Sequence, residues 1–231
     1  MLLNCFFRAD AYNPDLPEEE WTEVATYTTA GAYSDSLSWG KYKIVMSGAG
    51  GGGAAAGWNE SHGTRYAENG YKGEEKTIYV NVNQNNTLAI SGVIGAAGSG
   101  AYAKANKHSP TGTAGTGGSG YENGGNGTTM QNSSYANAAV TSGGGGGGST
   151  SIEWNSEVQD IAKGGNGGTA RQSYFNIWGY GGTGGSGGTT TGTGASGGAG
   201  NGRYTEDPVY SNAGADGYVK IYKSNLYPED T

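Results

Sequence analysis

Disulfides, proline and charge are scarce in this sequence of 231 residues. A single cysteine, Cys5, excludes an intramolecular disulfide. Five prolines are too few for a collagen-type repeat. The longest apolar stretch near the start, Leu2 to Phe7, is too short for a signal-peptide core or a membrane span. We therefore expect synthesis in a cytoplasm, without a signal peptide and without membrane insertion.

Large apolar side chains and basic residues are also few. The apolar residue types make up 34% of the chain and Phe occurs three times, which argues against a large packed core. Lys and Arg number 13 against 20 Asp and Glu, a net charge of −7 without a basic stripe. Nucleic acid and anionic membrane surfaces attract positive charge, so neither is expected as a partner.

Motifs for catalysis and for cofactor or metal binding are missing or lack their context. His62 and His108 stand alone, without a second ligand at metal spacing. Gly48, Gly50 and Gly53 match G-x-G-x-x-G, but the amphipathic helix and parallel strand of a dinucleotide site do not follow. We therefore predict no cofactor, no metal and no catalytic residues, and we do not expect an enzyme.

Glycine and aromatic residues are what the sequence has instead. Gly supplies 48 of the 231 residues, far above the average usage of about 7%. A disordered chain or a flexible Gly/Ser linker is one interpretation of such tracts. However, 17 Tyr, 5 Trp and a charged fraction of 14% are unusual for disorder. These numbers favour a folded structure that needs glycine.

Short β-type runs alternate with glycine tracts along the chain. The runs have β-branched or aromatic residues at alternate positions, which predicts strands over 41–47, 76–82, 87–94, 151–154 and 217–223. The tracts are 48–53, 95–100, 111–127, 143–148, 164–168 and 179–202. Since residues 1–36 contain one glycine, we predict an N-terminal arm or attachment element over 1–36, a glycine-rich domain over 37–223 and a C-terminal tail over 224–231.

The last tract has a period of three residues, in Tyr180-Gly-Gly, Thr183-Gly-Gly and Ser186-Gly-Gly. Three residues per turn is the period of a polyproline II helix. Glycine at crowded positions allows such helices to pack side by side and to pair their backbone groups. The predicted fold is all-β with almost no α-helix: a small antiparallel β frame extended by a packed polyproline II bundle.

The order of these segments resembles a known class of viral proteins. A strand ends at Ser47 and enters Gly48-Ala-Gly-Gly-Gly-Gly53, repeated tracts follow, and the chain closes with Ala215-Asp-Gly-Tyr-Val-Lys-Ile-Tyr222. Over residues 37 to 223 this order is similar to the glycine-rich domains of bacteriophage tail fibres and the tip adhesins of T-even-like phages. The resemblance implies a virion protein whose loops bind a bacterial surface protein or glycan, with other fibre proteins as partners and a homotrimer as one possible assembly.

The segments 58–76, 101–110, 121–142, 169–178 and 203–213 are predicted as loops between the tracts, and they carry most of the aromatic residues, among Asn, Ser, Thr and Gly. Recognition loops use this combination, because rigid rings supply contact area and small polar residues supply hydrogen bonds. The candidate receptor-binding residues are Trp58, Tyr66, Tyr71, Tyr102, Tyr121, Tyr135, Tyr174, Trp178, Tyr204 and Tyr210. These rings could equally cap the ends of the glycine bundle. Trp39, Tyr79, Trp154, Tyr218 and Tyr222 are assigned to the frame.

Two other functions stay open at this point. A virion or filament cap or decoration protein would have the same architecture without a receptor. An ice-binding polyproline II protein would need a flat Thr-rich face, for which Thr183, Thr189 to Thr191 and Thr193 are the hint.

Overall fold

The computed structural model describes residues 18–58, 65–106, 109–134, 137–173 and 175–227. The fold is all-β, as predicted, with one 3₁₀ turn over Gly185–Gly187. Within the described ranges, no helix is long and apolar enough to cross a membrane. The strands are β1 Trp21–Tyr27, β2 Gly31–Leu37, β3 Gly40–Ser47, β4 Ala55–Trp58, β5 Arg65–Ala67, β6 Glu75–Val82, β7 Leu88–Ile94, β8 Tyr102–Lys104, β9 Thr111–Thr113, β10 Thr129–Ser134, β11 Asn137–Ser142, β12 Thr150–Trp154, β13 Glu157–Ala162, β14 Ala170–Gln172, β15 Ile177–Gly179, β16 Asn201–Tyr204, β17 Val209–Tyr210 and β18 Tyr218–Ser224.

Two four-stranded sheets form a sandwich at one end of the molecule, which we call the base. Sheet A has the order β1-β18-β3-β6 and sheet B the order β13-β12-β7-β2. Alternate side chains point inward, which is the usual pattern of a sheet with one buried face. The enclosed core 1 includes Ile44, Met46 and Ile221 from sheet A and Ile90 and Ile152 from sheet B. The apolar residues that the chain does have are therefore concentrated here.

The segment predicted to be an N-terminal arm contributes to this sandwich. Strand β1 pairs with β18 and strand β2 pairs with β7. Residues 21–37 are thus part of the sheets, and Tyr33 and Leu37 lie in core 1. Their pairing partners lie far away in sequence, which is why composition alone suggested a separate element. The backbone N–H of Asn225 donates to the carbonyl of Glu20, so both ends of the described chain lie at the base.

Three smaller sheets form three layers at the opposite end, which we call the far end. Sheet C (β10-β11-β4-β16) lies between sheet D (β15-β14-β5) and sheet E (β17-β8-β9). Alternation along β4 directs Ala54 and Ala56 to core 2 with sheet D and Ala55 to core 3 with sheet E. Both far-end cores consist largely of alanine, in contrast to the large aliphatic side chains of core 1.

Within the part of the chain that the structure describes, ten glycine-containing segments connect the two ends. Each leaves a strand or a turn at one end and reaches the other, so successive tracts alternate in direction. We number them in chain order: tract 1 is 48–54, tract 2 is 68–74, tract 3 is 95–101, tract 4 is 114–121, tract 5 is 122–128, tract 6 is 143–149, tract 7 is 163–169, tract 8 is 180–185, tract 9 is 194–200 and tract 10 is 211–217.

Backbone hydrogen bonds between tracts repeat every third residue. In tract 1, successive N–H groups donate to three different neighbours in rotation, and carbonyls of the same tract accept from three others. Tract 6 follows the same rule with its own six neighbours. The tract 1 donors are residues 48, 51 and 54 to tract 2, residues 49 and 52 to tract 6, and residues 50 and 53 to tract 10.

Tracts 1 and 6 are the two inner tracts, and the other eight surround them. Every residue of the two inner tracts is buried. A Cβ built on any glycine of tract 6 would overlap a backbone carbonyl of tract 8, tract 1 or tract 4, in that rotation. Since buried backbone polar groups must be paired, this lattice satisfies them without strands. Glycine is required for the close approach of neighbouring backbones.

The strand predictions are confirmed to within one residue at either end. The segments predicted as loops are partly wrong, because they contain short strands such as β5, β8, β14 and β15. These strands have three residues each and no alternating apolar run, so their partners stabilise them. The tract predicted over 111–127 begins with β9 and reverses near Tyr121, and the one over 179–202 reverses near residues 185–192.

A buried tyrosine makes the stability of the base depend on pH in the alkaline range. Tyr33 is 7% exposed and its hydroxyl donates to the carbonyl of Ser151 at 3.1 Å. Burial, with a smaller contribution from Glu153, raises the pKa of the Tyr33 hydroxyl well above its usual range. The folded state thus favours the neutral hydroxyl, and this contribution to stability is fully present below the ordinary pKa of about 10 and is lost at higher pH.

We expect Tyr33→Phe to cost about 1 kcal/mol at neutral pH, because the hydrogen bond to Ser151 is lost. As pH rises above about 10 the stability difference between wild type and variant should shrink, because only the wild type loses the contribution of this hydroxyl. Thermal melts at neutral and alkaline pH measure both effects. A difference that stays constant across this range would contradict the coupling.

Candidate functional site

The far end exposes aromatic side chains on the outer faces of its two outer layers, sheets D and E. Sheets D and E each have one face against sheet C and one face outward. In sheet D, Ala170 and Ile177 point into core 2, so their neighbours along the strands point outward. In sheet E, Ala103 and Val209 fill core 3 and leave Tyr102 outward. The alternation of side chains along each strand therefore determines which aromatic rings are exposed to a binding partner.

The outer face of sheet D carries a row of side chains in register. Arg171 on β14 lies opposite Tyr66 on β5 and opposite Trp178 on β15. The Arg171 guanidinium carbon lies 4.2 Å from the centre of the Trp178 ring, within the range of a cation–π contact. Tyr180 follows two residues later and its ring is nearly parallel to that of Trp178, with 6.0 Å between centroids. We call these four residues the sheet D stripe.

The outer face of sheet E carries a second aromatic pair. Tyr102 and Tyr210 are cross-strand neighbours, and their ring centroids are 5.0 Å apart. Tyr210 is 65% exposed, and Tyr204, at the end of strand β16, is 63% exposed. The amide of Asn201 donates to the Tyr210 carbonyl, which joins β16 to β17 at this edge. Tyr204 and Tyr210 therefore flank the turn over residues 205–208 at the far end.

Trp58 does not belong to these exposed faces, so the structure corrects its assignment as a binding residue. It is 8% exposed and packs in core 2, beside Ala56 and Ile177. Its ring also packs against Gly202 on the neighbouring strand β16. The alternation of β4 places Trp58 on the face toward sheet D, which the glycine-rich sequence around it did not reveal.

Two further candidates lie away from the far-end strands. Tyr71 is part of tract 2, where its backbone pairs with tracts 1 and 7. Tyr121 is at the reversal between tracts 4 and 5, and its N–H donates to the carbonyl of Ser149, next to base strand β12. Tyr121 is therefore at the base. Tyr135 and Tyr174 lie outside the described residues, as do Cys5, His62 and His108.

Arg171 and Tyr180 are the site residues that sequence reasoning missed. Tyr180 was assigned to a glycine tract because it opens the Gly-Gly repeat, and Arg171 is a single cation in a segment predicted as a loop. In the structure Ala170 and Gln172 are buried and Arg171 between them is half-buried, but a buried glutamine leaves no apolar alternation for the sequence to show. Strand register, which brings Tyr66 and Trp178 to either side of Arg171, could not be inferred from the sequence.

Other features of the described chain offer less specific chemistry. The G-x-G-x-x-G glycines lie in tract 1, which is enclosed by six other tracts. Within the described ranges, no group of three or more His, Cys, Asp or Glu side chains is placed to hold a metal ion. A groove of about 1110 Å³ lies along strands β2, β7 and β12 of sheet B at the base, and its lining includes Asp35, Glu153 and Trp154.

Comparison with known proteins gives no family assignment: no protein-family model and no curated protein matches this chain.

Proposed function

We propose that the ten tracts are polyproline II helices packed in a hexagonal bundle. A helix with three residues per turn directs its N–H groups along three directions that recur every third residue, which is the pattern of tracts 1 and 6. Six neighbours around each inner tract are what hexagonal packing requires. Among the described glycines, positive φ is confined to Gly31, Gly40, Gly187 and Gly188, so the tract interiors are compatible with the negative φ of this helix.

Circular dichroism tests the proposed secondary structure. The far-ultraviolet spectrum should combine β and polyproline II signals with very little α-helix. A strong α-helical spectrum would contradict the proposal.

We propose further that the protein is a virion component, the tip of a bacteriophage tail fibre or appendage that adheres to a bacterial surface protein or glycan. The single observation that carries this proposal is the exposure of Tyr204 and Tyr210 at the far end, 63% and 65%, with both ends of the described chain at the base. A bundle whose backbones are paired on all sides is a rigid spacer between the two ends. The base would join other fibre proteins and the far end would meet the host.

Rigid aromatic rings at such a surface are suited to recognition. Tyr supplies a large amphipathic contact area at low entropic cost, and the neighbouring Thr, Asn and Ser supply hydrogen bonds. Four exposed tyrosines, Tyr66, Tyr180, Tyr204 and Tyr210, lie at the far end, and a surface with this much exposed aromatic area supports an interaction role. The resemblance of the strand and tract order to phage tip adhesins supports the same interpretation.

A paired substitution at the far end tests adhesion. The purified protein is labelled with a fluorophore and applied to bacteria from the source culture, and binding is measured by flow cytometry. We expect the double variant Tyr204→Ala, Tyr210→Ala to lose this binding. Tyr79→Ala is the matched control, because Tyr79 is also a tyrosine, is 63% exposed and lies on sheet A at the base. Immunogold microscopy should place the protein at the tips of virus particles.

The outcomes separate the alternatives. Equal labelling by the far-end double variant and by the wild type would remove the far-end recognition surface. Gold label at virion tips without labelling of bacteria would favour the cap or decoration function. Absence of label from particles would contradict a virion component.

A further inference from the structure

The geometry points to a binding site for a carboxylate-bearing sugar on the sheet D stripe, formed by Tyr66, Arg171, Trp178 and Tyr180. This inference rests on the proposed function and names the chemical class of the receptor at one far-end face. The site lies on the outer face of sheet D, whereas Tyr102 and Tyr210 lie on the outer face of sheet E.

The stripe is organised before any ligand arrives. Arg171, Tyr66 and Trp178 are fixed in register across three paired strands, and the guanidinium carbon lies 4.2 Å from the Trp178 ring centre. The Trp178 and Tyr180 rings differ by 7° in orientation, so two aromatic planes face nearly the same direction. Binding of a ligand therefore costs little side-chain conformational entropy, because these groups are already ordered. Tyr66 and Tyr180 are 36% and 56% exposed, which leaves the stripe open to solvent.

Arg171 has no ion-pair partner among the residues that the structure describes. The ion pairs of the described chain join Lys41 to Glu19 and Lys76 to Asp160, and none of them includes Arg171. Its Nε is buried and has no hydrogen-bond partner within the described residues. In a chain with a net charge of −7, an unneutralised guanidinium held in place by an aromatic ring is a distinctive feature. A guanidinium pairs best with a planar anion that accepts two parallel hydrogen bonds, such as a carboxylate.

The rings specify the rest of the ligand. The face of an aromatic ring is electron-rich and attracts partly positive C–H groups, which a pyranose presents on one side of its ring. Because the Arg171 guanidinium covers one face of the Trp178 ring, the exposed Tyr180 ring is the surface on which a sugar would stack, with its carboxylate directed toward Arg171. Uronic acids and nonulosonic acids carry both groups on one residue. Neutral sugars lack the anion, and small carboxylates lack the surface that stacks.

An array of oligosaccharides tests this inference directly. Purified full-length protein is applied to carboxylated oligosaccharides containing uronic or nonulosonic acids, with neutral and carboxyl-reduced versions of each as paired probes. We expect binding to carboxylated probes only, and weaker binding as salt concentration rises. Arg171→Gln should lower the affinity about 10-fold to 100-fold, and Arg171→Lys should restore part of it, since one charge remains without the planar fork.

Arg203→Gln is the matched control, since Arg203 is an exposed arginine on far-end strand β16 and lies outside the stripe. It should leave binding unchanged. Thermal melts establish that each variant is folded. Equal binding to carboxylated and reduced probes, an unchanged affinity in Arg171→Gln, or binding to none of the carboxylated probes would overturn the inference.

The two proposals fail in different ways. If bacteria are labelled through Tyr204 and Tyr210 while Arg171→Gln has no effect, adhesion stands and the acidic sugar does not. If carboxylated probes bind through Arg171 while bacteria are not labelled, the sugar site stands and host adhesion does not.

Discussion

Replacing Gly52 by Ala is expected to prevent stable folding or to lower the free energy of unfolding by about 3 kcal/mol or more. Gly52 lies in inner tract 1, and a Cβ at this position would overlap the carbonyl oxygen of Ser99 in tract 3. The contact is with backbone, so no side-chain rotation can relieve it. Separating tracts 1 and 3 would also break the hydrogen bonds that the N–H groups of Gly98 and Ala101 donate to the carbonyls of Gly50 and Gly53.

The measurement is a thermal melt of the purified variant, or its soluble yield if it does not fold. A loss of this size would lower the melting temperature by at least roughly 6 to 12 °C in a domain of this length. Two adjacent glycines of tract 5 supply a matched comparison. A Cβ on Gly124 would overlap the carbonyl of Gly146, whereas a Cβ on Gly125 would meet nothing closer than Thr183 N at 3.4 Å.

Gly124→Ala should therefore destabilise the protein and Gly125→Ala should be tolerated. Both substitutions are Gly→Ala, so they change the backbone propensity and the entropy of the unfolded chain by the same amount. A difference in melting temperature between them therefore measures the effect of the overlap with the neighbouring tract. Similar melting temperatures for the two variants would contradict the tract packing described above.

The part of this fold that could be predicted is the part controlled by local pattern. Residues 41–47 and 217–223 alternate apolar and polar side chains, and both are strands of sheet A. The sequence period of three residues near Tyr180 matches the hydrogen bonds between tracts, which also repeat every third residue. Strand β1 escaped prediction because it has few buried positions and gains its order from pairing with β18, almost the whole chain away.

For the candidate site, the sequence predicted only which types of residue it would contain and not which individual residues would be exposed. Aromatic residues between tracts pointed to recognition, but their exposure depends on which side of a three-residue strand each one occupies. A shift of one residue in register would exchange Arg171 with Gln172, which is fully buried. Pairing partners set that register, so the sequence could not separate buried Trp58 from exposed Tyr204.

Two kinds of interior hold this molecule together. In the bundle, paired backbone groups take the place of side chains, and tracts 1 and 6 have no side chain larger than a methyl group except the Ser149 hydroxymethyl at the end of tract 6. The far-end cores are built mostly of alanine. Large apolar side chains are concentrated in core 1, which lies at the base between sheets A and B. Truncation of a core 1 residue should therefore have a large effect.

We expect Ile221→Ala to lower the free energy of unfolding by about 3 kcal/mol, within the usual range for removing a buried isoleucine. Ile221 is fully buried and lies on β18 between Ala25 of β1 and Ile44 of β3, so the strands around it are held by pairing on both sides and cannot close the cavity. A thermal melt should show a decrease of roughly 6 to 12 °C.

Val24→Ala is the control for Ile221→Ala, because Val24 is 52% exposed on neighbouring strand β1 and its truncation leaves no cavity. It should change the melting temperature little. If Ile221→Ala were as stable as Val24→Ala, core 1 would contribute little to stability, and the backbone lattice of the tracts would have to hold the fold alone. A strong effect of Gly52→Ala together with a strong effect of Ile221→Ala would instead establish that the lattice and the base sandwich stabilise the protein jointly.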